Sequence, residues 1–154
     1  MRQQNRELLE LLKFELTFLE DGGYGRSTRT PWRPTRTFLD SPSCLNFDDP
    51  ARPHPCSECM LMRFVPKEHQ TENVPCWFIP VSANGETLDY YSRCGTQLEL
   101  EEALGAWLRK KIHEIETEPE NGQPVLTEEK RNMQDGRDLS YGSAQLRMDH
   151  SLQR

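Results

Sequence analysis

Residues 77–90 read WFIPVSANGETLDY, and this stretch decides the fold class that the sequence predicts. Asn84-Gly85 is the strongest short-range signal for a two-residue hairpin turn. Apolar residues alternate on both sides of it, as they do in half-buried strands: Trp77, Ile79, Val81, Leu88 and Tyr90. We therefore expect an antiparallel hairpin over about residues 76–92, and a further short strand over the apolar residues 60–65.

Two helices are expected to flank this hairpin along the chain. In residues 5–20, polar residues recur every three or four positions and trace a single stripe on a helix, so most of its remaining surface needs cover. Thr96 and Glu99 have the spacing of a capping box, which opens a second helix over residues 96–117. Two helices packed with a small antiparallel sheet make an α+β fold.

Length and composition indicate one small domain followed by a polar tail. The chain has 154 residues, the size of one ordinary domain, and we place that domain at residues 1–118. Residues 119–154 carry few apolar residues in no regular pattern, so this tail is expected to be disordered or to fold on a partner. Residues 21–55 contain six prolines in their last 25 positions, which excludes a helix or interior strand there. This long irregular segment needs another kind of anchor.

Cysteine spacing predicts a metal site that would supply the anchor. Cys56 and Cys59 form a C-x2-C pair, the spacing with which two thiolates from one turn reach the same zinc ion. Tetrahedral zinc takes four ligands, and four thiolates leave no position open for catalysis, so the metal would be structural. The predicted ligands are Cys44, Cys56, Cys59 and Cys76, with His54, His69 and Cys94 as alternatives.

Two other interpretations of the cysteines stay open. Free cysteines are often buried simply as small apolar side chains. A C-x2-C pair can also carry redox chemistry, and Cys94, close to the start of the second helix, is a candidate reactive thiol. The redox interpretation suits a pair that opens a helix after a strand, whereas Cys56 and Cys59 lead into a predicted strand.

A basic and aromatic segment is the second candidate site. Residues 22–37 contain four arginines and no acidic residue, and the candidate partner-binding residues are Arg26, Arg29, Trp32, Arg33 and Arg36. Arginine forks and aromatic rings suit a protein surface as well as phosphates and bases. Because the net charge of the chain is -6, attraction to nucleic acid is disfavoured and a protein partner is the preferred interpretation.

Together these features predict a zinc-stabilised binding or adaptor domain without catalytic activity. The sequence has no phosphate-binding loop, dinucleotide fingerprint or hydrolase nucleophile motif. It also has no signal-peptide pattern and no run of about 18 apolar residues, so a cytoplasmic protein without a membrane partner is expected. The alternatives are a thiol-dependent redox protein or enzyme using Cys56 and Cys59, or Cys94, and a weak nucleic-acid binder acting through residues 26–36.

Overall fold

A computed structural model of the chain describes residues 2–25 and 35–118. All of the helices and turns reported below lie in these two ranges. The α-helices are α1 (Arg2–Glu20), α2 (Leu88–Cys94) and α3 (Gln97–Thr117). Four short 3-10 helices span Cys56–Glu58, Met60–Phe64, Lys67–His69 and Pro75–Phe78. Among these helices, none is both long enough and apolar enough to cross a membrane.

The predicted antiparallel sheet is wrong, and with it the α+β class. The described residues form helices and no β-strand, and the nearest approach to a sheet is an isolated antiparallel bridge between Pro80 and Thr87. The chain does reverse here, and Gly85 has a φ of 83°, but the two-residue turn is wrong. The Val81 N–H donates to the Glu86 carbonyl at 2.9 Å, so the loop has four residues, 82–85. The chain therefore reverses at Asn84-Gly85 without forming strands on either side.

Local residues on both sides of the turn favour helix over strand. Pro80 has no N–H to donate to a ladder, and Pro75 occupies the first position of the 3-10 helix Pro75–Phe78. On the far side, the Thr87 hydroxyl accepts a hydrogen bond from the Tyr90 N–H at 3.2 Å and caps α2. The predicted strand at residues 60–65 is likewise replaced by the 3-10 helix Met60–Phe64.

Both predicted helices are present, and they run antiparallel to each other. Lys13 of α1 pairs with Glu116 of α3 at 2.7 Å, and Glu20 at the end of α1 pairs with Arg109 at 2.7 Å. The capping box that opens α3 is confirmed. The Glu99 N–H donates to the Thr96 hydroxyl at 3.2 Å, and the Glu99 carboxylate accepts from the Thr96 N–H at 2.7 Å.

The apolar core lies where α1 and α3 pack together and against the 3-10 helices and α2. Its buried members are Leu8, Leu12, Leu19, Tyr24, Phe38, Leu61, Val65, Ile79, Val81, Leu88, Leu100, Leu104, Trp107 and Leu108. The expectation that α1 is covered on most sides is wrong, because the Phe14 side chain is 45% exposed. One stripe of α1 faces the core.

Two groups of predictions lie outside the described residues. Arg26, Arg29, Trp32 and Arg33 fall within residues 26–34, and the expected tail occupies residues 119–154. The partner-binding role of this segment and the state of the tail therefore stay predictions.

Replacing Leu104 with alanine tests the α1–α3 core. Leu104 is fully buried in α3, so Leu104→Ala should lower the free energy of unfolding by about 2–5 kcal/mol through lost apolar contact and the cavity left behind. Denaturant unfolding followed by circular dichroism measures the change. Leu98, in the same helix, is 64% exposed, and Leu98→Ala should change stability by less than about 0.5 kcal/mol. Equal effects of the two substitutions would contradict this packing.

Candidate metal centre

Four of the five cysteines line one small cavity with a volume of about 30 Å³. They are Cys44, Cys56, Cys59 and Cys76, the four residues predicted as zinc ligands. Cys44 comes from the loop after residue 35, Cys56 and Cys59 bracket one short 3-10 helix, and Cys76 lies in another. A cavity needs about 10–15 Å³ to hold one water molecule, so this one has room for a small ion.

The thiols around this cavity are close enough to influence one another's ionisation. Burial, together with negative charge on the other three thiols, raises the pKa of Cys76 to about 12. Burial also raises the pKa of Cys59; a hydrogen bond from the Leu61 backbone N–H opposes this rise, and charge on Cys44 and Cys56 adds to it. Cys59 and Cys76 therefore keep their protons at neutral pH unless a cation replaces them.

Arg52 places a positive charge beside the cavity. Its Nη2 donates to Cys56 Sγ at 3.4 Å and to the Asn73 carbonyl at 3.0 Å, while its Nη1 donates to Asn73 Oδ1 at 3.2 Å. The guanidinium group thus connects the segment before Cys56 to the segment before Cys76. A cationic donor to sulfur also offsets part of the negative charge that several thiolates would bring to the site.

The sulfur atoms do not form a finished coordination shell. Within residues 2–25 and 35–118, no three His, Cys, Asp or Glu side chains are grouped as they would be around a metal ion. The cysteines share a cavity wall, and zinc binding would require their sulfurs to move to about 2.3 Å from a common centre. The zinc site therefore stays a prediction, although its four residues lie around one cavity.

The alternative ligands do not line the cysteine cavity. His54 is exposed, and its backbone N–H and carbonyl pair with the Asn46 side chain at 2.9 and 2.8 Å. The His69 ring stacks on Phe78 with 4.4 Å between ring centroids. Cys94 is exposed at the end of α2. Nothing in their positions favours them over the four cavity cysteines.

A buried glutamate that the sequence analysis missed holds the irregular loop against α1. Glu15 is completely buried and accepts hydrogen bonds from the hydroxyls of Tyr24, Ser41 and Ser43. The Tyr24 hydroxyl lies 2.8 Å from Glu15 Oε2, and its oxygen accepts from the Phe38 backbone N–H at 3.0 Å. Because Ser43 also lines the cysteine cavity, this polar cluster adjoins the candidate metal site.

The spacing of buried residues in α1 could have revealed this role. Leu8, Leu12, Glu15 and Leu19 follow one another at intervals of four, three and four residues, which places them on one face of a helix. The exposed polar stripe is evident in the sequence, whereas Glu15 is a single carboxylate within the apolar stripe. A charged residue on a core-facing stripe indicates buried hydrogen-bond donors.

Arg36 is the one residue of the proposed basic contact set that lies in the described part of the chain. Its Nη2 pairs with Asp40 Oδ1 at 3.0 Å, and its backbone N–H donates to Asp40 Oδ2 at 2.7 Å. This arginine therefore has an acidic partner within the chain itself. A second link nearby joins the Trp77 indole N–H to the Thr37 carbonyl at 3.0 Å.

Comparison of the chain with protein-family models, with curated proteins and with solved structures finds no match. Any function assigned to this protein must therefore come from its own residues and their arrangement.

Removing one hydroxyl tests the polar cluster around Glu15. Tyr24→Phe deletes a donor to the buried carboxylate and leaves the Phe38 N–H without its partner, so the free energy of unfolding should fall by about 1–3 kcal/mol. Denaturant unfolding measures it. In the control Tyr90→Phe, the deleted hydroxyl makes no hydrogen bond to the described residues and the side chain is 45% exposed, so little change is expected. Tyr24→Phe protein as stable as the wild type would show that the cluster is unimportant for stability.

Proposed function

We propose that this protein is a small, non-catalytic binding domain whose irregular loop is held by a structural zinc ion on Cys44, Cys56, Cys59 and Cys76. The observation that carries the proposal is the shared cavity, because four cysteines from three separate segments surround a space of about 30 Å³. Zinc bound by four thiolates has no open position for a substrate, so the ion would stabilise the fold and catalyse nothing.

The ionisation of Cys59 and Cys76 argues against redox chemistry at these two thiols. A nucleophilic cysteine needs a lowered pKa, whereas burial raises the pKa of both Cys59 and Cys76. Redox C-x2-C pairs are activated at the start of an α-helix, and here Cys56 opens a 3-10 helix of three residues. The thiol-dependent alternative therefore receives no support from the described residues.

The surroundings of the cavity also differ from those of cysteines that serve only as apolar packing. Cys59 and Cys76 pack against the apolar core, but Cys44 and Cys56 are half-buried and do not, and a purely apolar role favours complete burial. A guanidinium donor also contacts Cys56, and a positive charge beside sulfur suits a thiolate better than a neutral thiol. Both features are those expected around an anionic zinc–thiolate centre.

The loop gives a structural zinc ion a physical purpose. Residues 35–55 contain turns but no α-helix and no strand, so no continuous backbone hydrogen-bond ladder orders them. Metal binding would add its free energy to folding, since the ligands converge only in the folded chain. The resulting rigid surface would bind a protein partner; with a net charge of -6, nucleic acid remains the disfavoured alternative.

Zinc content is the direct test of the metal site. Protein purified without chelator should contain about one zinc per chain. Cys59→Ser should lose most of that zinc and speed amide hydrogen exchange in the loop around residues 35–76. The matched control is Cys94→Ser, because Cys94 lies outside the cavity. This variant should keep its zinc and the slow amide exchange of the loop. Zinc-free wild-type protein with rapidly alkylated thiols would overturn the proposal and favour the redox alternative.

Zinc affinity should rise steeply with pH through the neutral range. The raised pKa values mean that Cys59 and Cys76 hold protons in the metal-free protein, and zinc must displace them. For each thiol that loses a proton to zinc, the zinc affinity rises by up to about tenfold per pH unit below the pKa of that thiol. Cys59 and Cys76 together therefore raise the affinity by up to about a hundredfold per pH unit. Competition with a chromophoric chelator at several pH values measures the slope. An affinity independent of pH would exclude thiol ligands.

A further inference from the structure

A shallow groove runs along α3 and shares no lining residue with the cysteine cavity. It consists of two adjoining depressions of about 340 and 570 Å³, which have residues 81–83 and Ala106 in common and are therefore continuous. Its α3 side is the stripe Glu99, Glu102, Ala103, Ala106, Trp107, Lys110 and Lys111. These positions are three or four residues apart in the helical repeat, so they lie on one face of α3.

The two ends of the groove carry opposite charge. Glu102 lies at one end and makes no hydrogen bond or ion pair with the described residues. Lys110 lies at the other end, 72% exposed and 3.9 Å from its nearest acidic partner, Glu114. Eight residues of helix separate them, or about 12 Å. A ligand in the groove would therefore meet an unpaired carboxylate at one end and a loosely held ammonium group at the other.

The middle of the groove is apolar and has small side chains. Ala83, Ala103 and Ala106 leave room for a backbone to approach closely, as helices do when they pack at 8–10 Å between axes. Tyr90 borders the groove with its side chain 45% exposed, and exposed tyrosines are frequent anchors of protein interfaces. The dipole of α3 accounts for acidic residues at its start and basic residues at its end, but not for the recess of small side chains between them.

We propose that this groove binds a helix of a partner protein that lies antiparallel to α3. A helix favours acidic residues at its start and basic residues at its end. In the antiparallel orientation, the start of the partner helix lies over Lys110 and its end over Glu102, so opposite charges meet at both ends. This names the class of partner for the binding role proposed above, and it does not require the zinc ion.

A second copy of the chain fits this surface less well. The α3 stripe forms one side of the groove, and residues 81–83 and α2 supply the remainder of its lining. In a symmetric dimer the same recessed surface would have to meet itself, which would hold the two α3 stripes apart. A projecting helix from a different protein reaches the apolar middle without this obstruction.

Selection from a displayed library of helices tests the proposal. Helices of about 14 residues, four turns, would carry a constant leucine and alanine stripe, with Glu, Lys or Ala varied in the first and last turns. Selected against the full chain, they should have Glu in the first turn and Lys in the last. Exchanging these charges should weaken binding at least about tenfold, as measured by fluorescence polarisation. The double variant Glu102→Lys, Lys110→Glu should select the reverse arrangement.

Two control variants separate the groove from the rest of the surface. Exchanging Glu20 and Arg109 (Glu20→Lys, Arg109→Glu) reverses a charge pair outside the groove and should leave the selection unchanged. Ala106→Trp fills the groove at an exposed position and should abolish binding. Circular dichroism verifies that each variant is folded.

Several results would overturn the proposal. They are a library without enriched charges, an enrichment that the Glu102/Lys110 exchange leaves unchanged, and binding that survives Ala106→Trp. Sedimentation showing a dimer that Ala106→Trp dissociates would assign the groove to a second copy and so also overturn it. Zinc measured on the same preparations separates the two proposals. Zinc-free protein that selects helices would end the metal proposal alone, and zinc-loaded protein that selects none would end the groove proposal alone.

Discussion

The carboxylate of Glu15 is the point on which the irregular half of this domain depends. A buried carboxylate is unfavourable unless hydrogen-bond donors replace its water. Here three hydroxyls do so, and two of them belong to the loop that leads to Cys44. The requirement for those donors brings residues 37–44 onto α1, although that loop has neither helix nor strand. The position of one wall of the cysteine cavity follows from this contact.

The polar cluster around Glu15 adjoins the cysteine cavity, and its negative charge affects the ionisation of the thiols there. Negative charge on Glu15 adds to the rise in the pKa of Cys59, so it opposes thiolate formation in the absence of a cation. Arg52, which donates to Cys56, supplies positive charge to the cavity wall. In this arrangement Cys59 and Cys76 stay neutral without a cation, and a bound cation would relieve the repulsion between the carboxylate and their sulfurs.

The proposed zinc site and the proposed partner-binding groove lie in different parts of this small molecule. The proposed zinc ion would order a loop that makes no ladder of its own, whereas the proposed partner helix would contact α3, whose core face already packs on α1. Because the two sites share no lining residue, the contact surface can change without loss of the cysteine cavity. This separation is typical of domains whose metal serves the fold and whose surface serves binding.

Local signals along the chain were sufficient for α1 and α3, because helical periodicity and the Thr96 capping box act within a few residues. They also located the chain reversal at Asn84-Gly85, but neither its four-residue loop nor the structure of the flanking segments. Strands need hydrogen-bond partners from elsewhere in the chain, and Pro80 and Thr87 favour other structure. The four cysteines predicted from the C-x2-C pair line one cavity, and their role as zinc ligands stays a prediction.

Long-range packing determines the features that local signals do not reveal: the Glu15 cluster, the cysteine cavity and the groove along α3. The donors to Glu15 lie 9, 26 and 28 residues away in sequence, so no local pattern could reveal that its carboxylate is satisfied. Cys44 and Cys76 likewise reach the cavity of Cys56 and Cys59 only because the loop folds back on α1. The groove along α3 exists because the turn at residues 81–83 and α2 lie beside that helix. Contacts between distant segments depend on the free energy of the whole folded chain, and spacing in sequence does not record them.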